Sequence, residues 1–190
     1  MLIPTHTLFG VLALASGAAV LLRRKGDRLH RLSGWVYAAS MLLLCVGSFW
    51  IQDSTPFYQG LGGFHVAATV SLVTLLVGVW SVRRPSGTPE ARAAGHVRSM
   101  VWSYAGLVMA TGSHAIGPLG GALRDGLGIA PGAAFPLAVA LCWGVPPALT
   151  AFALRRRGGA LEARFTRITA APSPNAHARG ASGEGRAEAG

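Results

Sequence analysis

Histidines are the residues of this chain best suited to chemistry, and five of its six stand near the ends of apolar stretches. His30 and His96 each follow a cluster of arginines, whereas His6, His65 and His114 stand at the other ends of the stretches. Neutral imidazole binds haem iron and transition metals and exchanges protons near neutral pH. These five side chains are therefore the candidate ligands of the chain.

Helical spacing predicts two layers of histidines. His96 and His114 are 18 residues apart, which is five full turns, so they project from one face about 27 Å apart. If the chain forms helical hairpins, His30 and His96 lie in one layer. The other three, His6, His65 and His114, lie in a second layer at the opposite surface.

The first hypothesis is a b-type haem, because two imidazoles from facing helices can hold its iron axially. His30 and His96 are the predicted pair near the basic clusters, and a second pair would come from His6, His65 and His114. Electron transfer would follow, with a quinone or another redox partner in the membrane.

Residues beside the predicted pair fit this hypothesis. Gly34 and Tyr37 share the helical face of His30, and Met100 shares that of His96. Glycine leaves room for a macrocycle. The neighbouring Arg31 and Arg98 would oppose protonation of the imidazoles and could pair with haem propionates.

Three other functions fit the same residues. His6, His65 and His114 could form a metal site of three imidazoles with one open position. A structural, assembly or interaction protein without a cofactor would use histidines only for helix contacts. The pair Pro146-Pro147 interrupts an apolar stretch, as in some transporters or sensors.

The chain lacks GxGxxG, Walker, nucleophile-elbow and HExxH motifs, and the sequence does not decide whether it is an enzyme.

The elements that must position these histidines are transmembrane helices. Of the 190 residues, 51% are hydrophobic and 13% are charged, against about 25% charged in soluble domains. A helix of about 20 apolar residues crosses the hydrocarbon of a bilayer. Five spans are predicted: Thr5 to Leu22, Leu32 to Ile51, Gly63 to Val82, Ser99 to Leu119, and Ala133 to Leu154.

The basic residues lie almost entirely on one side of this five-span arrangement. Sixteen of the seventeen Lys and Arg fall in residues 23–31, 83–98 and 155–190, and only Arg124 falls elsewhere. The positive-inside rule then predicts a protein of the cytoplasmic membrane with its N-terminus outside and its C-terminus in the cytoplasm. Topology explains the net charge of +10, and we expect no binding to nucleic acid.

The predicted fold is an all-α membrane bundle with an internal repeat. In each half, a His opens one apolar span, and a second His and a Tyr follow the basic link, as in His30 with Tyr37 and His96 with Tyr104. Two such hairpins predict a four-helix core with one additional span. Residues 1–154 form the predicted transmembrane domain, and residues 155–190 a disordered cytoplasmic tail.

Two short motifs resemble those of a known family. They are "HRLSGWVY", which begins at His30, and "HVRSMVWSY", which begins at His96, with "FHVAATVSLVTLL" between them. Together they resemble the uncharacterised predicted membrane protein family, domain of unknown function 2306. The resemblance covers about residues 6 to 120 and leaves the fifth span outside. It implies a small multi-span membrane protein and supplies no ligand or reaction.

Overall fold

The computed structural model describes residues 2–23, 26–51, 62–84 and 86–169, and within these ranges it contains helices and no strand. The all-α fold class predicted from the sequence is confirmed. The helices are α1 (Leu2–Leu22), α2 (Arg28–Ser48), α3 (Gly63–Arg83), α4 (Pro89–Ser113), α5 (Ile116–Leu127) and α6 (Pro131–Thr169).

The starts of α2 and α4 follow the same local design. Gly26 and Gly87 adopt φ of 89° and 90°, a left-handed conformation that favours glycine. Each glycine precedes an N-cap: the Asp27 carboxylate accepts from the His30 amide, and the Thr88 hydroxyl accepts from the Ala91 amide. These caps start α2 and α4.

The first four helices form a ring. α1 packs against α2 and α3 against α4, and the two hairpins meet through α2 with α3 and α1 with α4. Their shared core contains Ala13, Tyr37, Met41, Leu75 and Leu107. α6 lies outside the ring, against α4 and α5. The predicted core of two hairpins is present, and the described helices beside it are α5 and α6.

Four of the described helices are long and apolar enough to cross a membrane: α1, α2, α3 and the Pro131–Arg156 part of α6. Large apolar side chains cover their outer surfaces, among them Leu76 and Leu149. α4 is long enough, but its first half carries Glu90, Arg92 and Arg98. The fourth predicted span, which falls on α4, therefore stays a prediction.

The predicted fourth span, Ser99 to Leu119, differs from the helix that forms. α4 begins earlier, at Pro89, because the Thr88 cap and a proline in the first turn start it there. It ends at Ser113, and a turn at His114 separates it from α5. Pro118 explains the break, because its ring has no N–H and would collide with the carbonyl of His114 in a continuous helix.

α6 continues through its prolines as one helix. Pro136, Pro146 and Pro147 all lie inside it, so Pro146-Pro147 does not divide it into two half-helices. The helix also continues past Leu154, where the tail was predicted to begin, and reaches Thr169. The rest of the predicted tail lies outside the described residues.

Candidate functional site

Ring contacts fix the direction of each helix in the bundle. Arg83, at the end of α3, lies 4.9 Å from the ring centre of Trp35 near the start of α2. At the other end of the same pair, the rings of Phe49 and His65 are 5.8 Å apart. α2 and α3 are thus antiparallel, and since α4 also runs against α3, α2 and α4 are parallel. We call the end where α2 and α4 begin the basic end.

A hydrogen bond across the core sets the register of α2 and α4. The Tyr37 hydroxyl and the Ser103 hydroxyl are 3.0 Å apart, and both side chains are buried. His30 precedes Tyr37 by seven residues, and His96 precedes Ser103 by seven. Seven residues are nearly two turns, or about 10 Å. The backbones of both histidines therefore lie at about the same level of the bundle, on the helix faces that carry Tyr37 and Ser103.

The protonation pattern of His96 follows from its partner. Its Nδ1 lies 2.8 Å from the carbonyl oxygen of Gly78 on α3. A carbonyl oxygen only accepts, so Nδ1 carries the proton, and the neutral ring has its lone pair on Nε2. Histidines that bind metals commonly donate their second ring N–H to a backbone carbonyl in this way.

Gly34 leaves open space beside α2, one turn beyond His30. A methyl group added at Gly34 would meet nothing within 4 Å, whereas one at Gly17 would collide with the ring of Tyr104. Gly78 is also closely covered, by the side chain of Met100. Met100 thus packs against α3, and the space predicted at Gly34 is present.

The arginines predicted to support the pair lie at the surface of the basic end. The side chains of Arg31 and Arg98 are both exposed. Arg31 follows His30 directly, and Arg98 is two residues beyond His96. They are placed where a negatively charged group at the edge of the bundle would meet them.

His65 serves the start of its own helix. Its buried Nδ1 accepts a hydrogen bond from the Gly62 amide at 3.0 Å. The lone pair of Nδ1 is therefore occupied, and in the neutral ring the proton is on Nε2. This histidine has no free lone pair to offer a metal in that form.

The structure does not bring His6, His65 and His114 together as a group of three metal ligands. His6 and His114 are close enough to interact electrostatically, and Phe64 stacks on His114 with 6.4 Å between ring centres. His65, however, caps α3. Within the ranges that the structure describes, no group of three His, Cys, Asp or Glu side chains could hold a metal ion.

Sequence reasoning missed the hydrogen bonds that hold the core together. Besides the bond of Tyr37 to Ser103, the Tyr104 hydroxyl donates to the Leu14 carbonyl at 3.3 Å. The Trp143 indole donates to the Ser113 hydroxyl at 2.8 Å and ties α6 to α4. One available signal was the seven-residue spacing that follows both His30 and His96.

Comparisons with known proteins identify the chain at the level of its family. No curated protein and no solved structure matches it. A family described as a predicted membrane protein does match, over residues 3–151. This range extends past the motifs at His30 and His96 and takes in α5 and much of α6. The chain therefore belongs to the predicted membrane protein family DUF2306.

Proposed function

We propose that this membrane protein binds a b-type haem at its basic end through His30 and His96 and transfers electrons there. The observation that carries the proposal is the common register of the two residues. The bond of Tyr37 to Ser103 joins parallel helices, and each histidine stands seven residues before one of its partners. Two imidazoles at one level of a bundle could together hold a haem.

The state of His96 supports its role as a ligand. Because the Gly78 carbonyl accepts from Nδ1, the Nε2 lone pair of the neutral ring is available to iron. Such a second bond also holds the ring in one orientation and makes the ligand more basic. His96 would then be the better ordered of the two ligands.

The surroundings suit a large flat molecule with acidic groups. Gly34 leaves open space on the face of His30, and the exposed Arg31 and Arg98 could pair with propionates. His30 and His96 would hold the haem, which would supply one-electron chemistry at this end of the bundle. A membrane quinone is the class of partner that we propose.

We also propose that the basic end faces the cytoplasm and that α4 crosses the membrane as the fourth of five spans. The side chains at this end support its position at a membrane surface. Arg83 lies over Trp35, and Arg84 lies over Trp80. Tryptophans concentrate at membrane interfaces, and Lys and Arg favour the cytoplasmic side.

Absorption spectroscopy of the purified protein tests the haem proposal. We expect protein from a haem-replete host to show a Soret band that shifts on reduction. His30→Ala and His96→Ala should each remove most of it, while His114→Ala, a matched change at the opposite end, should leave it. A band that survives both of the first changes would contradict the assignment of these ligands.

A second candidate is a structural or interaction protein without a cofactor. The observation in its favour is that two histidines already have backbone partners: His65 caps α3, and His96 joins α4 to Gly78 of α3. In that case His96→Ala would loosen the α3–α4 hairpin of a colourless protein. The ratio of haem to protein after purification separates the two candidates.

A further inference from the structure

The α3–α4 hairpin brings two arginines together at the basic end. The Arg92 Nη1 donates to the carbonyl oxygen of Arg84 at 3.1 Å. The guanidinium of Arg84 turns back along α3 and lies 5.8 Å from the ring centre of Trp80. The Arg84 carbonyl thus holds the guanidinium of Arg92 next to Arg84.

The guanidinium of Arg84 has a buried hydrogen-bond donor, its Nε. Among the residues that the structure describes, this Nε has no hydrogen-bond partner. A buried donor without an acceptor is rare in native proteins and calls for a specific explanation, of which a bound ion is one. The bond from Arg92 goes to a neutral carbonyl, so this bond does not neutralise the positive charge of Arg92. Both residues would gain from an anion with several acceptor oxygens.

The lipid-facing surface of α3 leads directly to these arginines. Val73, Val77 and Trp80 are 53%, 44% and 61% exposed. They precede Arg84 by eleven, seven and four residues and therefore share its helical face. An apolar strip thus runs from the middle of the bundle to a cationic group. Tryptophan rings lie at the level of the lipid headgroups, which is the level of the phosphates.

We propose that Arg84 and Arg92 bind the phosphate of an anionic phospholipid whose acyl chain lies along Val73, Val77 and Trp80. The planar guanidinium group matches phosphate oxygens in pairs, and hydrogen bonds between charged groups are stronger than neutral ones. The apolar strip favours a lipid over free phosphate, because free phosphate has nothing to place on it. The site is independent of the haem proposal.

Native mass spectrometry of the full chain in mild detergent tests the site. Phosphatidylglycerol and phosphatidylcholine of equal chain length serve as probes. We expect phosphatidylglycerol to stay bound, and the double change of Arg84 and Arg92 to Gln to weaken its binding about tenfold, toward that of phosphatidylcholine. Arg23→Gln removes one exposed charge from the same end and should leave the binding unchanged.

Several outcomes would overturn the proposal. Equal binding of phosphatidylglycerol by the wild type and the double variant would do so, and so would an equal loss in Arg23→Gln, which would indicate diffuse attraction. Displacement of the lipid by millimolar inorganic phosphate would reassign the site to free phosphate. If the double variant fails to fold, Arg84→Lys keeps the charge, loses the paired geometry, and should still weaken binding.

Discussion

The hydrogen bond between Tyr37 and Ser103 offers a quantitative test of the bundle. Both residues are buried, with exposed fractions of 2% and 0%, so an orphaned hydroxyl has no water to replace its partner. The two orphans differ, however. After Tyr37→Phe, Ser103 can turn to the carbonyl four residues earlier in α4. After Ser103→Ala, the hydroxyl of Tyr37 has no such local acceptor.

We therefore expect Tyr37→Phe to lower the free energy of unfolding by about 1 kcal/mol and Ser103→Ala by about 2 kcal/mol. The double variant leaves no unpaired hydroxyl, so its loss should be smaller than the sum. A coupling of about 1 kcal/mol is expected, within the range known for hydrogen bonds between membrane helices.

The assay is reversible unfolding in mixed micelles, followed by circular dichroism at increasing denaturing detergent. All four members of the cycle are measured under one set of conditions. Additivity within about 0.4 kcal/mol would mean that the two hydroxyls do not interact, and the register of α2 and α4 would lose its support. A larger loss of unfolding free energy for Tyr37→Phe than for Ser103→Ala would contradict the proposed difference between the two unpaired hydroxyls.

Further predictions concern packing and topology. Gly17→Ala should destabilise the bundle by about 1 kcal/mol or more, because the added methyl group meets the ring of Tyr104. Gly34→Ala places its methyl group in open space and should stabilise the bundle by about 0.5 kcal/mol. Thermal unfolding in detergent compares the two variants. Cysteines placed at Ser54 and Ser86 in a Cys-free background should be labelled from outside and inside the cell, respectively. Outside labelling at Ser86 would contradict the proposed orientation.

The sequence predicted the architecture because burial patterns in a membrane are simple. Long apolar stretches separated by basic links indicated helical hairpins, and the positions of His30 and His96 indicated a repeat. The structure shows the same repeat in its loops, where Gly26 and Gly87 have nearly equal φ angles. The motif at His96 also indicated the family that the match over residues 3–151 confirms.

Local signals that compete with hydropathy account for the differences in helix bounds. The predicted start of the fourth span at Ser99 followed the apolar residues, but the cap at Thr88 sets the start of α4. The predicted end at Leu119 ignored Pro118, which cannot continue a helix through His114. Capping residues and prolines were visible in the sequence and were outweighed by the hydropathy criterion.

The candidate site was only partly predictable, because side-chain partners depend on tertiary contacts. Spacing alone placed His65 among possible ligands, while the structure assigns its Nδ1 to the Gly62 amide. The partner of His96, the Gly78 carbonyl, is eighteen residues away in sequence and on another helix. Neither contact has a periodic pattern that a single sequence reveals.

The absorption spectrum of the purified full-length protein, with iron and protein quantified in the same sample, tests the haem proposal most directly. We predict about one haem per chain, a Soret band that shifts on reduction, and loss of that band in both His30→Ala and His96→Ala variants that still insert into the membrane. A colourless, iron-free protein from a haem-replete host would contradict the proposal and favour a bundle in which the histidines serve only helix contacts.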